Sequence, residues 1–335
     1  MKVDTRLVYG SLHEIPDLAR AAEDAGFDGM WLEETAHDPF PGATLACEHT
    51  TRAEVGTAVA IAFARSPTVL AHLAWDLAAL SKGRFILGLG TQVKGHAVRR
   101  FGVPWEPPAP RLRDTVRAIR AVWSAWRSGE GLNYRGEFHT LTLMTPFFTP
   151  PHHDYAIPIA TAGVNPIMCR VAGETADAFQ VHPLHTPSYL KEVIIPAIRR
   201  GEQRAGRGEA VTINASVFAL IGTSRAEVDA ARADARRTIA FYASTPSYRP
   251  LLTHHGWEEI GSRLSALAAR GEWEKMAQAV SDEMLDTIAV SGSPGDVGEM
   301  LRDRYRDVAH RVGVYRPFRP EDAAWWTDLI AAARD

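Results

Sequence analysis

The sequence of 335 residues predicts an α/β protein, a single (β/α)8 TIM barrel over residues 1–335 with insertion segments. Three observations predict it. Short β-rich runs alternate with helical patterns, several of the runs are apolar throughout, and no G-x-G-x-x-G motif follows the first strand. Such apolar runs are typical of parallel sheets buried on both faces, whereas an open dinucleotide-binding sheet begins with that glycine motif. The closed barrel is therefore favoured over the doubly wound sheet.

The first half of the chain provides four strands. Gly26 ends the first helix, and Pro67 begins an alanine- and leucine-rich helix at a position where its missing N–H costs nothing. The predicted strands are Lys2–Tyr9, Gly29–Glu33, Val55–Ile61 and Arg84–Gly90, and the helices are Ile15–Ala25 and Pro67–Leu80.

The second half provides five candidates for the four remaining strands. We leave Thr287–Ser291 outside the ring and close it with Arg311–Tyr315. The other strands are Ile157–Ala162, Ala178–His182 and Val211–Ile221, and the helices are Arg113–Trp126, Pro166–Thr175, Ser188–Arg204 and Asp296–Arg304.

Insertions at about residues 91–110, 129–155 and 238–286 interrupt the repeat. The first is a predicted long loop, the second contains a predicted hairpin and the third is helical. In barrels of this kind the active site lies at the C-terminal ends of the strands. The first insertion follows the fourth strand directly, so we expect it to help cover a site.

Composition excludes several kinds of partner. Lys and Arg total 37 against 40 for Asp and Glu, so the basic excess of a nucleic-acid-binding protein is absent. No apolar run is long enough for a bilayer span, and the first ten residues lack a signal-peptide core. Two cysteines, Cys47 and Cys169, suit a reducing compartment. We expect a cytoplasmic protein that acts on a small molecule, with no nucleic-acid or membrane partner.

Polar residues at predicted strand ends are candidates for chemistry. The run Glu33–Asp38 follows the second strand and holds three carboxylates and His37, which could anchor a cofactor and move a proton; an exposed polar loop is the alternative. The turn at residues 162–166 opens a helix with proline, and free N–H groups at such a helix start can bind phosphate. His182 and His185 could bind a metal only with a third ligand.

The order of several motifs resembles the bacterial luciferase-like superfamily of flavin and deazaflavin enzymes, and within it the branch that depends on coenzyme F420. The match runs from the N-terminus to about residue 190 and continues more thinly to the end. The motifs are Gly26–Leu32, Val55–Val59, Lys82–Gly90, Phe101–Pro104 and Ala172–Phe179, with Glu34–Phe40 and Ile239–Leu252 marking a subgroup.

The resemblance implies a luciferase-like TIM barrel whose cofactor ring lies across the C-terminal mouth, against a non-proline cis peptide bond at Ala58–Val59. It places Glu34 near the ring as a catalytic carboxylate, with His37 as a nearby acid or base. Related sugar-phosphate dehydrogenases have histidine and glutamate where this chain has Thr35 and Val93, so the resemblance does not imply a sugar-phosphate substrate. The implied cofactor-contacting positions are Glu34, Ala58, Val59, Ile61, Gln92, His96, Ala162, Gly163, Val164, Asn165, Pro166, Ile167, Met168, His182 and His185.

The leading hypothesis is an F420-dependent oxidoreductase that transfers hydride between the deazaflavin ring and a small organic substrate, with no metal. Analogy with relatives suggests a homodimer. One alternative is an FMN-dependent monooxygenase that uses O2 and reduced flavin from a separate reductase. Another is a metal-dependent barrel hydrolase built on His37, His182 and His185, and a third is a flavin-binding protein without catalysis. The leading hypothesis requires the loops after residues 34, 61, 92 and 163 to meet at one rim.

Overall fold

Eight parallel strands close into a barrel in the computed structural model, which describes residues 1–335. Around the ring the order is β3, β2, β1, β8, β7, β6, β5, β4, and pairing of β4 with β3 completes the circle. The strands are β1 (Lys2–Arg6), β2 (Gly29–Leu32), β3 (Glu54–Thr57, continued by Ala60–Ile61), β4 (Phe85–Gly90), β5 (Ile159–Gly163), β6 (Ala178–Val181), β7 (Thr212–Val217) and β8 (Arg311–Pro317). The TIM-barrel prediction is confirmed.

Helices surround the barrel, and several begin where the sequence provides a cap. Ser66 accepts a hydrogen bond from the Val69 amide, and Ser293 forms a capping box with Asp296. The helices are Ile15–Asp24, Pro39–His49, Pro67–Leu80, Lys94–Arg99, Pro108–Ser128, Pro166–Thr175, Pro187–Tyr189 (joined by the π-helical turn Leu190–Ile194 to Ile195–Ala205), Arg225–Ala243, Arg249–His254, Glu258–Ala269, Trp273–Gln278, Asp282–Ile288, Pro294–Tyr305 and Ala323–Arg334. None of them combines the length and apolar character that a bilayer span requires.

Thr287–Ser291 lies outside the ring, as predicted, and β8 closes it. The reason is visible in the next pairing: Val290–Gly292 forms a separate two-stranded sheet with Ala219–Ile221. The predicted strand Val211–Ile221 is therefore two strands, β7 in the barrel and Ala219–Ile221 outside it.

Two more boundaries differ from the prediction, and two features agree with it. The first strand ends at Arg6 rather than Tyr9, and the expected loop 91–110 contains the helix Lys94–Arg99. The hairpin of the second insertion forms between Tyr134–Arg135 and Thr140–Leu141. The Ala58–Val59 peptide bond is cis, as the resemblance implied, and it separates the two parts of β3.

The floor of the barrel is a buried ion pair. Arg311 donates from Nε and Nη2 to the two carboxylate oxygens of Asp4, each at 2.7 Å, and Trp31 Nε1 donates to the same carboxylate at 2.9 Å. Asp4 and Arg311 are 1% and 4% exposed, and Arg311 also pairs with the half-buried Glu54, so the buried guanidinium is held by two carboxylates. The small cluster Trp31, Ile86, Ala160 and Ala178 packs inside the ring.

Candidate active site at the mouth of the barrel

Polar side chains stand at the C-terminal ends of strands on one side of the barrel. Side chains two residues apart on a strand share a face. Arg6 therefore shares the inner face with Asp4 of the floor, and Glu33 shares it with Trp31. Tyr315 of β8 contacts Arg6, whose guanidinium lies 4.3 Å from the ring centroid. We call the inner rim formed by the C-terminal ends of the eight strands the mouth.

The opposite side of the mouth is lined by small residues. By the same alternation, Gly88 and Gly90 follow the inner residue Ile86, and Ala162 follows Ala160. Gly88 must be a glycine because the backbone of β3 comes very close to it. A Cβ on Gly88 would lie 1.7 Å from the Thr57 carbonyl oxygen. This flat, small-residue wall suits the face of a planar ring.

Arg6 and Glu33 form an ion pair on the polar side of the mouth, between the neighbouring strands β1 and β2. The Arg6 Nη2 donates to Glu33 Oε2 at 2.5 Å, and the Arg6 Nε is buried without a partner. Burial raises the pKa of the Glu33 carboxyl above its ordinary value, and the charge and hydrogen bond of Arg6 offset this effect only in part.

The third insertion brings two tyrosines over this part of the mouth. The hydroxyls of Tyr242 and Tyr315 lie 2.7 Å apart, and the Tyr248 hydroxyl lies 2.9 Å from Nε2 of His182. The His182 ring is 4.6 Å from the Tyr242 ring and 4.8 Å from the Tyr248 ring, measured between centroids. The insertion thus covers the mouth on the side of β6 and β8.

Glu34 is held by several hydrogen-bond donors. Its Oε2 accepts from the Ile61 amide at 2.7 Å and from Arg65 Nη1 at 2.8 Å, and its Oε1 accepts from Arg65 Nη2 at 3.1 Å. Arg65 also pairs with Asp38 at 2.5 Å. Arg65 is thus the ion-pair partner of Glu34, and the loops after β2 and β3 meet through this pair.

The other residues expected around the ring lie further toward solvent. His37 is exposed and stacks on Tyr9, with ring centroids 4.9 Å apart. Gln92 has a positive φ of 58° and accepts a hydrogen bond from the Val93 amide, and His96 is exposed on the helix Lys94–Arg99. All three still follow β2 or β4, at the same rim as Glu34.

The turn after β5 retains free amides. Asn165 caps the helix Pro166–Thr175, and its Oδ1 accepts from the Ile167 and Met168 amides, both at 3.0 Å. Pro166 has no N–H to donate. The amides of Val164 and Asn165 have no acceptor within the protein. Gly163 is required here because a Cβ would lie 2.4 Å from Cβ of Met168. Of the expected amides at residues 162–168, two are therefore available to an anion.

His182 and His185 differ in which ring nitrogen is available for a hydrogen bond. His182 Nδ1 accepts from the Leu184 amide, so in the neutral ring Nε2 carries the hydrogen and donates to Tyr248. His185 Nδ1 faces the His182 carbonyl at 2.9 Å and donates to it, which leaves an unprotonated Nε2 buried without a partner. Burial lowers the pKa of His182 to about 3 and that of His185 to about 4, so both are neutral at pH 7.

Val164 and the two histidines line one narrow cleft beside the mouth, and Asn165 directly follows Val164. Its walls include Gly163, Val164, His182, His185, Tyr189 and Tyr248. We call the Val164 and Asn165 amides together with His185 Nε2 the cradle. The cradle offers two donors at the positive end of a helix and one buried lone pair that can accept from a hydroxyl.

A metal centre finds no ligand set in the structure. No three His, Cys, Asp or Glu side chains converge on a point that an ion could occupy. His153 packs on Trp75 at 4.0 Å between centroids, and His255 bonds Thr186 at 2.8 Å. The hydrolase alternative therefore lacks its ligands.

Arg6 and Tyr315 were not among the expected site residues. Arg6 and Tyr315 lie at opposite ends of the sequence, and barrel closure alone brings them together. The available signal was residue spacing: Asp4 with Arg6, and Trp31 with Glu33, lie two positions apart and so share a face of their strands.

Comparison with known proteins gives a consistent result. A family model described as luciferase-like monooxygenase matches residues 1–311. An uncharacterized protein of Mycobacterium tuberculosis is 45% identical over 307 residues, 91% of this chain and 90% of the relative. An F420-dependent glucose-6-phosphate dehydrogenase of Mycolicibacterium gilvum is 31% identical over 212 residues, 58% of this chain and 60% of the relative.

Among solved structures, the coenzyme F420-dependent tetrahydromethanopterin reductase of Methanopyrus kandleri superposes with a TM-score of 0.78. The superposition covers 98% of this chain and 96% of the reductase at 21% sequence identity, so it shows the shared fold.

Proposed function

The chain belongs to the luciferase-like monooxygenase family and is an oxidoreductase, and from that premise we propose that it transfers hydride between coenzyme F420 and a small organic substrate. The similarity to an F420-dependent dehydrogenase supports this choice of cofactor over FMN. The sugar phosphate of that relative is not carried over, because Thr35 and Val93 replace the histidine and glutamate expected for such a substrate.

The single observation that carries the proposal is the cradle. The Val164 and Asn165 amides have no acceptor in the protein, and the His185 lone pair is buried with no donor. The buried His185 lone pair costs free energy while it has no donor, and the two amides lie at a helix start where anions bind, so a ligand with a phosphate and hydroxyl groups would satisfy all three groups. F420 carries both, so the residues present fit this cofactor.

When bound, F420 would supply a ring that accepts or donates hydride. The protein's part is to hold and orient it. The two cradle amides would bind the phosphate and His185 would accept from a hydroxyl of the sugar-alcohol chain, while Gly88, Gly90 and Ala162 leave room for the ring. Tyr242 and Tyr248 cover the mouth and exclude water from it.

Titration of the purified protein with F420 and with FMN, followed by fluorescence, tests the proposal. We expect F420 to bind at micromolar concentrations, and H185A to weaken binding about tenfold or more because a hydroxyl then loses its acceptor. The matched control is H152A, an exposed histidine paired with Asp154.

Failure of F420 to bind would overturn the proposal. If reduced FMN binds instead and oxygen is consumed, the FMN-dependent monooxygenase alternative replaces it.

A further inference from the structure

We propose that Glu33 accepts or returns the substrate proton during hydride transfer, and that the substrate is a neutral alcohol or carbonyl compound whose oxygen is bound by the free O–H of the Tyr242–Tyr315 hydroxyl pair. This inference rests on the proposed function, because it assigns the second half of the same reaction. It concerns the side of the mouth that faces the small-residue wall.

Glu33 is placed between that wall and the polar side of the mouth. It directly follows Leu32, which pairs with Thr57 in β3, and the Ala58 amide donates to the Leu32 carbonyl at 2.8 Å. On its other side Glu33 contacts Arg6. A substrate lying against a ring on the small-residue wall would therefore meet the Glu33 carboxyl.

Of the two adjacent glutamates, Glu33 is the one with a free oxygen. Both oxygens of Glu34 accept hydrogen bonds, from Arg65 and the Ile61 amide, so a proton on Glu34 would break that arrangement. Only Oε2 of Glu33 is engaged, and Oε1 accepts nothing from the protein. Glu33 can accept or release a proton at Oε1 without losing its contact with Arg6.

The groups that face Glu33 come from three elements. Arg6 faces it from β1, and Tyr242 faces it from the helix Arg225–Ala243; Tyr315 of β8 lies behind Arg6 and bonds Tyr242. Tyr248 and His182 complete the group, and His182 is neutral at pH 7. Arg6 is thus the only permanent charge beside Glu33, and burial raises the pKa of the carboxyl in spite of it.

The charges of the mouth favour a neutral substrate. Arg6 is paired with Glu33, and Arg65 is paired with two carboxylates, Glu34 and Asp38, so neither guanidinium is left to bind an anionic substrate. The hydroxyls of Tyr242 and Tyr315 share one hydrogen between them, which leaves a second O–H hydrogen able to donate to a substrate oxygen. The nearby aromatic rings suit an apolar body. These features together match an alcohol or a carbonyl compound.

In the oxidation direction the substrate alcohol loses a hydride and a proton. The C–H bond of the carbinol carbon breaks, and its electron pair leaves with the hydrogen as hydride to oxidised F420. The O–H bond breaks and its proton goes to Oε1 of Glu33, while the C=O double bond forms. The carbonyl oxygen still accepts from the free O–H of the Tyr242–Tyr315 pair, and the reverse reaction returns the proton from Glu33.

The turnover experiment uses the F420-loaded enzyme with cyclohexanol, 2-butanol and their ketones. Reduction of F420 is followed by its loss of absorbance. We expect E33Q to bind F420 normally and to lose turnover about 100-fold or more, the usual range for a missing acid or base. The control E137Q removes an exposed carboxylate and should turn over normally.

The pH profile separates a proton-transfer role from a structural one. Alcohol oxidation needs the Glu33 carboxylate, so activity should rise as pH passes its pKa. Since Arg6 lowers that pKa, R6M should move the rise to higher pH, and R6K should restore it toward the wild-type position.

Infrared difference spectroscopy of the protein without cofactor gives an independent readout. The carboxyl stretching band that E33Q removes should titrate above the ordinary pKa of a glutamate, about 4.3. A Glu33 band that titrates at or below that value would overturn the inference, as would E33Q with normal turnover. If F420 binds and no alcohol or ketone in the panel changes its redox state, the substrate class is wrong; if F420 does not bind, the proposed function itself fails.

Discussion

The Arg65 guanidinium holds both carboxylate oxygens of Glu34, at 2.8 and 3.1 Å, and so ties the segment after β3 to the end of β2. Both side chains are largely buried, with 13% and 6% exposed. The pair fixes one corner of the mouth, beside the Ile61 amide that also donates to Glu34.

Removing Arg65 should therefore cost both stability and cofactor affinity. R65M leaves a buried carboxylate without its counter-ion, and we expect unfolding free energy to fall by about 3 kcal/mol. Urea denaturation measures this, and R20M, at an exposed ion pair, is the control. Equal stability of R65M and wild type would show that Glu34 is solvated in solution.

The floor of the barrel should affect stability without affecting the cradle. D4N removes the carboxylate charge that accepts hydrogen bonds from Arg311 and Trp31 and leaves Glu54 as the only counter-ion of Arg311, and we expect a loss of about 1.5–3 kcal/mol, the range for hydrogen bonds to a charged group. Affinity for F420, measured well below the unfolding midpoint, should stay at the wild-type value. A large fall in affinity would place the floor in contact with the binding site.

The second insertion should loosen in acid. Asp114 accepts hydrogen bonds from the Tyr134 hydroxyl at 2.6 Å and from the amides of Phe138 and His139 at 2.8 and 2.9 Å. Burial opposes ionisation, but these hydrogen bonds outweigh it, so the pKa of Asp114 is lowered. A group with a lowered folded-state pKa contributes stability above its unfolded pKa and loses it as pH falls.

At pH 7 we accordingly expect D114N to be less stable than wild type by about 1.5–3 kcal/mol. The difference should shrink below about pH 4, the ordinary range of an aspartate. Denaturation curves at several pH values check this, with D17N at an exposed site as the comparison. A difference that does not change with pH would mean that the charge of Asp114 is unimportant.

Gly88 should tolerate no side chain. In G88A the new Cβ would lie 1.7 Å from the Thr57 carbonyl oxygen, which is backbone and cannot rotate away. We expect a loss of at least about 2 kcal/mol from the forced displacement, together with weaker F420 binding. G208A, where nothing lies within 4 Å, should behave as wild type. Normal melting of G88A would indicate that β4 can shift at no cost.

The parallel barrel could be predicted because its strands are short apolar runs, a local property of the sequence. The residues at which the strands end could not be predicted with the same accuracy. Nothing local distinguishes Val217 from Ala219, yet the chain leaves the barrel between them because Val290–Gly292 offers a second pairing edge. Tertiary partners, rather than propensity, set that boundary.

Glu34, Gly163 and His185 could be placed at the mouth because each follows a predicted strand. Their hydrogen bonds could not be predicted. Whether Glu34 is free depends on Arg65, 31 residues later, and whether His185 keeps a lone pair depends on which nitrogen faces the His182 carbonyl. The contact between Arg6 and Tyr315 requires the ring to close first.

The strand β8 has a structural residue at one end and a residue of the mouth at the other. Arg311 forms the buried ion pair of the floor, and Tyr315, four residues later, contacts Arg6 at the mouth. Divergence of substrate preference within such proteins should therefore avoid this strand. The insertion that supplies Tyr242 and Tyr248 contributes no strand to the barrel. It is therefore the segment in which natural selection or a directed-evolution library can alter substrate preference while the barrel stays intact.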